Sequence, residues 1–249
     1  MRLLHAISGI AIFCCSASTA GAATIFSNLG SGDSLLGSGL SIYWEQSLDG
    51  KGNSQVSGQA GAMRFKVADS DFRLDSITLG LWQGSGVSNL RISITTDVGG
   101  EPSQSLLEII GLNPASITST PQALTFESVS HPLLVSGSDY WVVVEPANLN
   151  TSDGTSNAAY GWAFNSLGQT SSQLHRGAQS SGTWGSWIAG SPSRLESSLR
   201  VDASAVPEPS AISLFAVITV ALTFNRKRTR KRTYHKNQEQ NKSSHSNRY

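Results

Sequence analysis

Between residues 24 and 206 the hydrophobic positions come in short runs, separated by clusters of Gly, Ser, Asn and Asp. In Leu90-Arg91-Ile92-Ser93-Ile94-Thr95 apolar and polar residues alternate with period two, the repeat of a strand with one dry face and one wet face. Tyr140-Trp141-Val142-Val143-Val144 is apolar on both faces and predicts a central strand. Comparable runs, rich in β-branched and aromatic residues, predict strands at 40–45, 62–67, 72–82, 89–96, 105–110, 123–129, 140–145, 159–165 and 198–203. No stretch of this segment sustains a helical period. The nearest approach, 103–109, is too short to stand as a helix without packing. The expectation is an all-β, antiparallel, jelly-roll-like β-sandwich forming one domain over 24–205.

The two ends depart from this pattern. Arg2, the apolar stretch 7–15 and the small residues Ala20-Gly21-Ala22 read as a secretory signal peptide over 1–23, carried by a signal helix. Near the other end stands Val206-Pro207-Glu208-Pro209-Ser210, followed by a run without charge over 211–224. Asn225 then leads into Arg226-Lys227-Arg228-Thr229-Arg230-Lys231-Arg232. Fourteen residues make about 21 Å of helix, short of the roughly 30 Å hydrocarbon core. The flanks decide the reading. Prolines close the helix on one side, and the basic cluster marks a cytoplasmic end on the other. Arg and Lys stems extend the span by snorkelling, so 211–224 is expected to be a short transmembrane helix.

Charge sharpens the division. Residues 24–206 carry eight Lys/Arg against fifteen Asp/Glu, a net of −7, while 225–249 carry nine Lys/Arg and one acid, a net of +8. The overall net of +1 therefore averages an acidic body and a basic tail. Residues 233–249 have the Lys/Asn/Gln/Ser composition of a disordered polar tail. A basic tail also suits anionic lipid or nucleic acid, but one that abuts an apolar run reads as a topology determinant, and no nucleic-acid partner is expected. Both cysteines, Cys14 and Cys15, fall inside the signal, so the body has neither disulfide nor thiolate.

The order of PEP motif, short apolar helix and arginine-rich cluster over 206–232 resembles the PEP-CTERM protein-sorting signal of Gram-negative bacteria. The resemblance maps the sorting motif onto Pro207, Glu208 and Pro209, and the basic stop onto Arg226, Lys227 and Arg228. It implies export across the inner membrane and a single-pass intermediate with a cytoplasmic C-terminus. An exosortase, an integral-membrane processing enzyme, would be the partner, and the envelope or extracellular matrix the destination. Such signals usually end soon after the basic cluster, whereas this chain runs on to Tyr249. The body resembles the choice-of-anchor R type of bacterial surface domain. That likeness rests on Ile25-Phe26-Ser27-Asn28-Leu29, on Leu90-Arg91-Ile92-Ser93-Ile94, on 96–102 and on 133–144. It implies an extracytoplasmic β-domain without established chemistry.

Little in the body points to catalysis, and the chain is expected not to be an enzyme. Gly32-Asp33-Ser34-Leu35 has the letters of a serine-hydrolase block, but the later Gly-x-Asn-Asp and Asp-x-x-His blocks are missing, so a Gly/Ser turn explains it better. Asp69-Ser70-Asp71-Phe72-Arg73 starts like a calcium loop and then places Arg73, Leu74 and Gly80 where ligand oxygens, glycine and glutamate belong. Asn148, Asn150 and Asp153 fit an Asn/Asp turn better than a calcium site. His131 and His175 are the body's histidines, and their spacing makes no metal motif. No metal and no cofactor are expected.

The tryptophans are the remaining signal. Six indoles lie in the body: Trp44, Trp82, Trp141, Trp162, Trp184 and Trp187. Trp141 belongs to the most apolar strand and is expected in the core. Trp184-Gly185-Ser186-Trp187 sits in a Gly/Ser-rich segment, where exposed, rigid aromatics would stack on sugar rings. Pinning a loop is the competing role for them. The leading expectation is a non-catalytic structural or interaction protein. The alternative is a carbohydrate-binding surface module using Trp184 and Trp187 on extracellular polysaccharide. A cryptic hydrolase ranks third.

Overall fold

Period-two alternation becomes strand wherever a neighbour is available to pair with. The computed structural model of the chain describes residues 21–48, 51, 54–86, 89–112, 117–147, 158–170, 173–179 and 183–206. They contain thirteen strands and no helix. In chain order these are β1 (Ala23–Ser27), β2 (Leu35–Leu48), β3 (Ser54–Lys66), β4 (Phe72–Ser85), β5 (Leu90–Val98), β6 (Glu101–Leu112) and β7 (Gln122–Glu127). They continue as β8 (Leu133–Leu134), β9 (Asp139–Pro146), β10 (Ala158–Asn165), β11 (Gln173–Gly177), β12 (Ile188–Ala189) and β13 (Leu199–Ala205). Every strand expected from the alternation is present, and 103–109 lies within β6. The expected signal helix, the helix at 211–224, Pro207, Glu208, Pro209, Arg226, Lys227 and Arg228 lie outside the described residues, apart from 21–23. Ala23, at the edge of the expected signal, already pairs with Ala203 as the first residue of β1.

All pairings are antiparallel, in the order β1-β13-β4-β10-β2-β3-β9-β5-β6, with β7 and β8 on β4 and β11 on β3. The sheet cannot be flat. In that order β1 and β3 are five strands apart, about 24 Å at the spacing of paired strands. Yet the rings of Phe26 in β1 and Phe65 in β3 lie 6.1 Å apart. The sheet therefore folds back on itself in two layers, and the alternate inward residues of both layers meet in one core. Leu74, Ile77, Leu79 and Leu81 of β4 and Val201 of β13 come from one layer. Ile92 and Ile94 of β5 and Val142 and Val144 of β9 come from the other. β2 and β10 join the layers and contribute Leu40, Ile42, Tyr160 and Trp162.

Close approach fixes one glycine where β2 meets β10. A Cβ on Gly39 would stand 2.1 Å from the Trp162 carbonyl oxygen, a backbone atom, so the two strands can run this close only with no side chain there. Elsewhere the hydrolase-like block is a turn: Gly32 and Asp33 have φ of 67° and 58°. Asp33 accepts a hydrogen bond from Arg200 at 2.6 Å, and Ser34 Oγ lies 2.7 Å from Ser166 Oγ, with no histidine in the arrangement. In the calcium-like segment Asp71 accepts the backbone N–H of Ser136 at 2.8 Å. The turn after β7 is clamped by Glu108 of β6, which accepts the backbone N–H groups of Val129 and Ser130 at 2.6 and 3.1 Å and the Ser128 hydroxyl at 2.5 Å. Burial alone would raise the Glu108 pKa, but these hydrogen bonds outweigh it and hold the carboxyl below its ordinary value.

Candidate functional site

β9 is central, as expected, with β3 on one side and β5 on the other. Its inward residues are Tyr140, Val142 and Val144; its outward ones are Trp141, Val143 and Glu145. Register extends the outward face across four strands in rows. Ser93, Val143, Ala62 and Leu174 form one row through β5, β9, β3 and β11. Two residues along, Arg91 stands opposite Glu145 and Arg176 stands opposite Ala60. The other way, Thr95 and Arg64 flank Trp141. Trp141 is buried, but in a small second cluster with Ala62 and Val143 on this outer face, not in the main core.

The segment after β11 folds back over that face. Gln179 donates to the Thr183 carbonyl at 2.7 Å and Gly185 to the Gly177 carbonyl at 2.8 Å, which makes a turned-back ribbon. It delivers Trp187 onto the Trp141 cluster, beside Leu174 of β11. It also sets Trp184 edge-on to Trp44, with ring centroids 6.0 Å apart. The opposite wall comes from β6. Between the pairs Thr95–Leu106 and Asp97–Pro102, Ser103-Gln104-Ser105 stand opposite Thr96 alone, which is a bulge. Thr95 Oγ1 lies 2.8 and 2.9 Å from the Ser103 and Ser105 carbonyls, so its single hydrogen is shared between two acceptors of the bulge.

Between ribbon and bulge lies a cleft of about 610 Å³, in the size range of small-ligand sites. Its lining includes Trp184, Trp187, Arg91, Arg176, Glu145 and Gln104. The two tryptophans singled out from the sequence are thus brought together in one cleft, each half-buried instead of exposed. Loop pinning is part of what they do. The Arg176 guanidinium lies 4.4 Å from the Trp187 ring centroid and 5.1 Å from that of Trp184, an attractive cation–ring arrangement. The remaining indole surface forms cleft wall. Arg176 Nε and Trp184 Nε1 are buried without hydrogen-bond acceptors among the described residues.

Glu145 holds the charged end together. Its side chain is 2% exposed. Oε1 accepts Arg91 Nε at 2.8 Å and also Arg91 Nη2, and Oε2 accepts Arg176 Nη2 at 2.6 Å. Arg176 reaches this carboxylate from β11 across β3, where it pairs with Ala60, a residue too small to block the path. Arg91, Glu145 and Arg176 were not singled out from the sequence. One signal was present: Glu145 is a charge closing an otherwise apolar strand, and such a charge needs a partner. Next to Arg176, burial and then the charge of Arg194 hold the His175 imidazole below its ordinary range, so it is neutral at pH 7. His131 lies elsewhere, with Nδ1 2.8 Å from the Leu74 carbonyl. Among the described residues no cluster of three His, Cys, Asp or Glu could hold a metal ion.

No family model matches the sequence. No curated protein matches it either. Among solved structures, the chain is similar to the cysteine protease and lectin-like domains of Cwp84, a surface layer associated protein of Clostridium difficile. The TM-score is 0.39 and the identity 14%, over 61% of this chain and 34% of that one. A second structure of that clostridial protease, after propeptide cleavage, gives a TM-score of 0.39 at 13% identity over 67% and 38% of the two chains. CsCBM6-3 from Clostridium stercorarium, in complex with cellobiose, gives 0.25 at 13% identity over 48% and 78%. The chain spans about a third of the length of the Cwp84 structures it matches.

Proposed function

We propose that the cleft binds carbohydrate, and that the chain is a surface-located β-sandwich of jelly-roll type that acts by binding and not by catalysis. One observation carries this reading: Trp184 and Trp187 line a single groove together with hydroxyl, amide and guanidinium groups. A sugar ring has an apolar C–H face and a rim of hydroxyls. Indole wall suits the face, and Arg91, Gln104, Gln179 and Ser186 suit the rim. The test is binding of a polysaccharide panel to the protein and to a Trp184→Ala/Trp187→Ala variant. Truncating a tryptophan that anchors a binding site costs about 2 kcal/mol or more, so the double variant is expected to bind at least about tenfold more weakly. Unchanged affinity in a folded double variant would remove the reading.

The tail supports a compatible second reading about location. The order of Pro207-Glu208-Pro209, the apolar run 211–224 and Arg226-Lys227-Arg228 favours export, transient anchoring in the inner membrane of a Gram-negative bacterium and processing by an exosortase-type enzyme. The destination is then the envelope or extracellular matrix, where polysaccharide is at hand. Replacing Pro207, Glu208 and Pro209 with alanine is expected to leave export intact and abolish C-terminal processing. Intact-mass measurement of the protein recovered from its host checks this; the same mature mass for variant and wild type would contradict it.

A further inference from the structure

Resting on the carbohydrate reading, we infer that the cleft prefers acidic glycans and seats a carboxylate-bearing sugar, a uronate, at the end formed by Arg91 and Arg176. The argument is one of charge and occupied valences. Two guanidiniums meet one carboxylate at that end, and both Glu145 oxygens are already engaged, Oε1 by Arg91 and Oε2 by Arg176. One positive charge is left over. It reaches solvent through Arg91, the more open of the two at 36% side-chain exposure against 20%. Two of the Arg91 nitrogens are on Glu145; the third, Nη1, has no hydrogen-bond partner among the described residues. A planar guanidinium with a free edge is the side chain best matched to a carboxylate.

The other acid of the cleft does not cancel this charge. Glu101 pairs with Val98 at the turn between β5 and β6, seven residues along β5 from Arg91. That is about 23 Å of extended strand, well beyond the Debye length of about 8 Å at physiological salt. The groove is therefore electrically polar along its length, with the indoles beside its basic end. The net charge of the body is −7, so polyanions gain nothing from the rest of the surface. Attraction to an acidic glycan has to be local to Arg91.

Isothermal titration of the protein separates the possibilities. The probes are oligomers of galacturonate, glucuronate and alginate, each beside its carboxyl-reduced neutral counterpart. The expected result is at least one uronate oligomer bound about tenfold or more tighter than its reduced form, as one charge-assisted hydrogen-bonded pair supplies. Arg91→Gln should lose that preference. Equal binding of acidic and reduced forms by wild type would overturn the inference while leaving sugar binding in place. A preference that survives in Arg91→Gln would overturn the assignment to this end. Failure to bind any member, acidic or neutral, would sink the carbohydrate reading, and this one with it. The wild-type comparison needs no variant, so a poorly folding Arg91→Gln does not blunt the test.

Discussion

Glu145→Ala is expected to destabilise the protein by about 3–5 kcal/mol, because it strands the mostly buried Arg176 guanidinium beside the partly exposed Arg91 with no counter-charge. In a domain of this size that corresponds to a fall in Tm of roughly 10 °C. The loss comes from stranding charge more than from the net worth of the ion pairs, and a second variant distinguishes the two. Glu145→Leu combined with Arg91→Met and Arg176→Met keeps the volume and removes all three charges. It should recover most of the lost stability. Denaturant titration of both variants checks this, and a loss under about 1 kcal/mol in Glu145→Ala would mean that solvent already carries these charges. Near-UV circular dichroism should change as well, since Arg176 would lose the anchor that holds it against Trp184 and Trp187.

Trp162→Ala is expected to cost a similar amount, about 3–5 kcal/mol, through a cavity in the main core. Trp162 is fully buried on β10, the strand that joins the two layers. Its Nε1 also donates to the Ser198 carbonyl at 2.8 Å. Trp162→Phe keeps much of the volume and drops only that donor, so it should lose about 1–3 kcal/mol, the cost of an unpaired buried carbonyl plus some repacking. The midpoint of urea unfolding should fall in the order wild type, Trp162→Phe, Trp162→Ala, at constant slope. If the two substitutions cost the same, packing around the indole is looser than the structure implies.

Strand existence was readable wherever alternation or a β-branched run was strong, as at Leu90-Arg91-Ile92-Ser93-Ile94. β1, β8, β11 and β12 were not predicted. β11 reads Gln-Leu-His-Arg-Gly, with little local preference for extended structure, and is a strand because the edge of β3 is there to pair with it. β8 and β12 are two residues each, too short to carry a period. At the site, Trp184-Gly185-Ser186-Trp187 could be picked out because adjacent Gly and Ser make a poor core. The ion cluster could not. Arg91, Glu145 and Arg176 are far apart in the chain, and only the register of four strands, β5, β9, β3 and β11, sets them side by side.

From its order of residues alone this protein is bound to antiparallel β structure, to faces of known polarity on each strong strand, and to an acidic body beside a basic tail. Those properties depend on neighbours a few positions away, and side-chain period is a local quantity. Which strands pair, and in what register, is a matter of long-range contact: a slip of one residue would turn Glu145 into the core and bury it among Ile92 and Leu40. The folding back of the sheet then makes an inside and an outside. On the outer face, the same register sets the bulge of β6 and the ribbon beyond β11 on either side of the cleft.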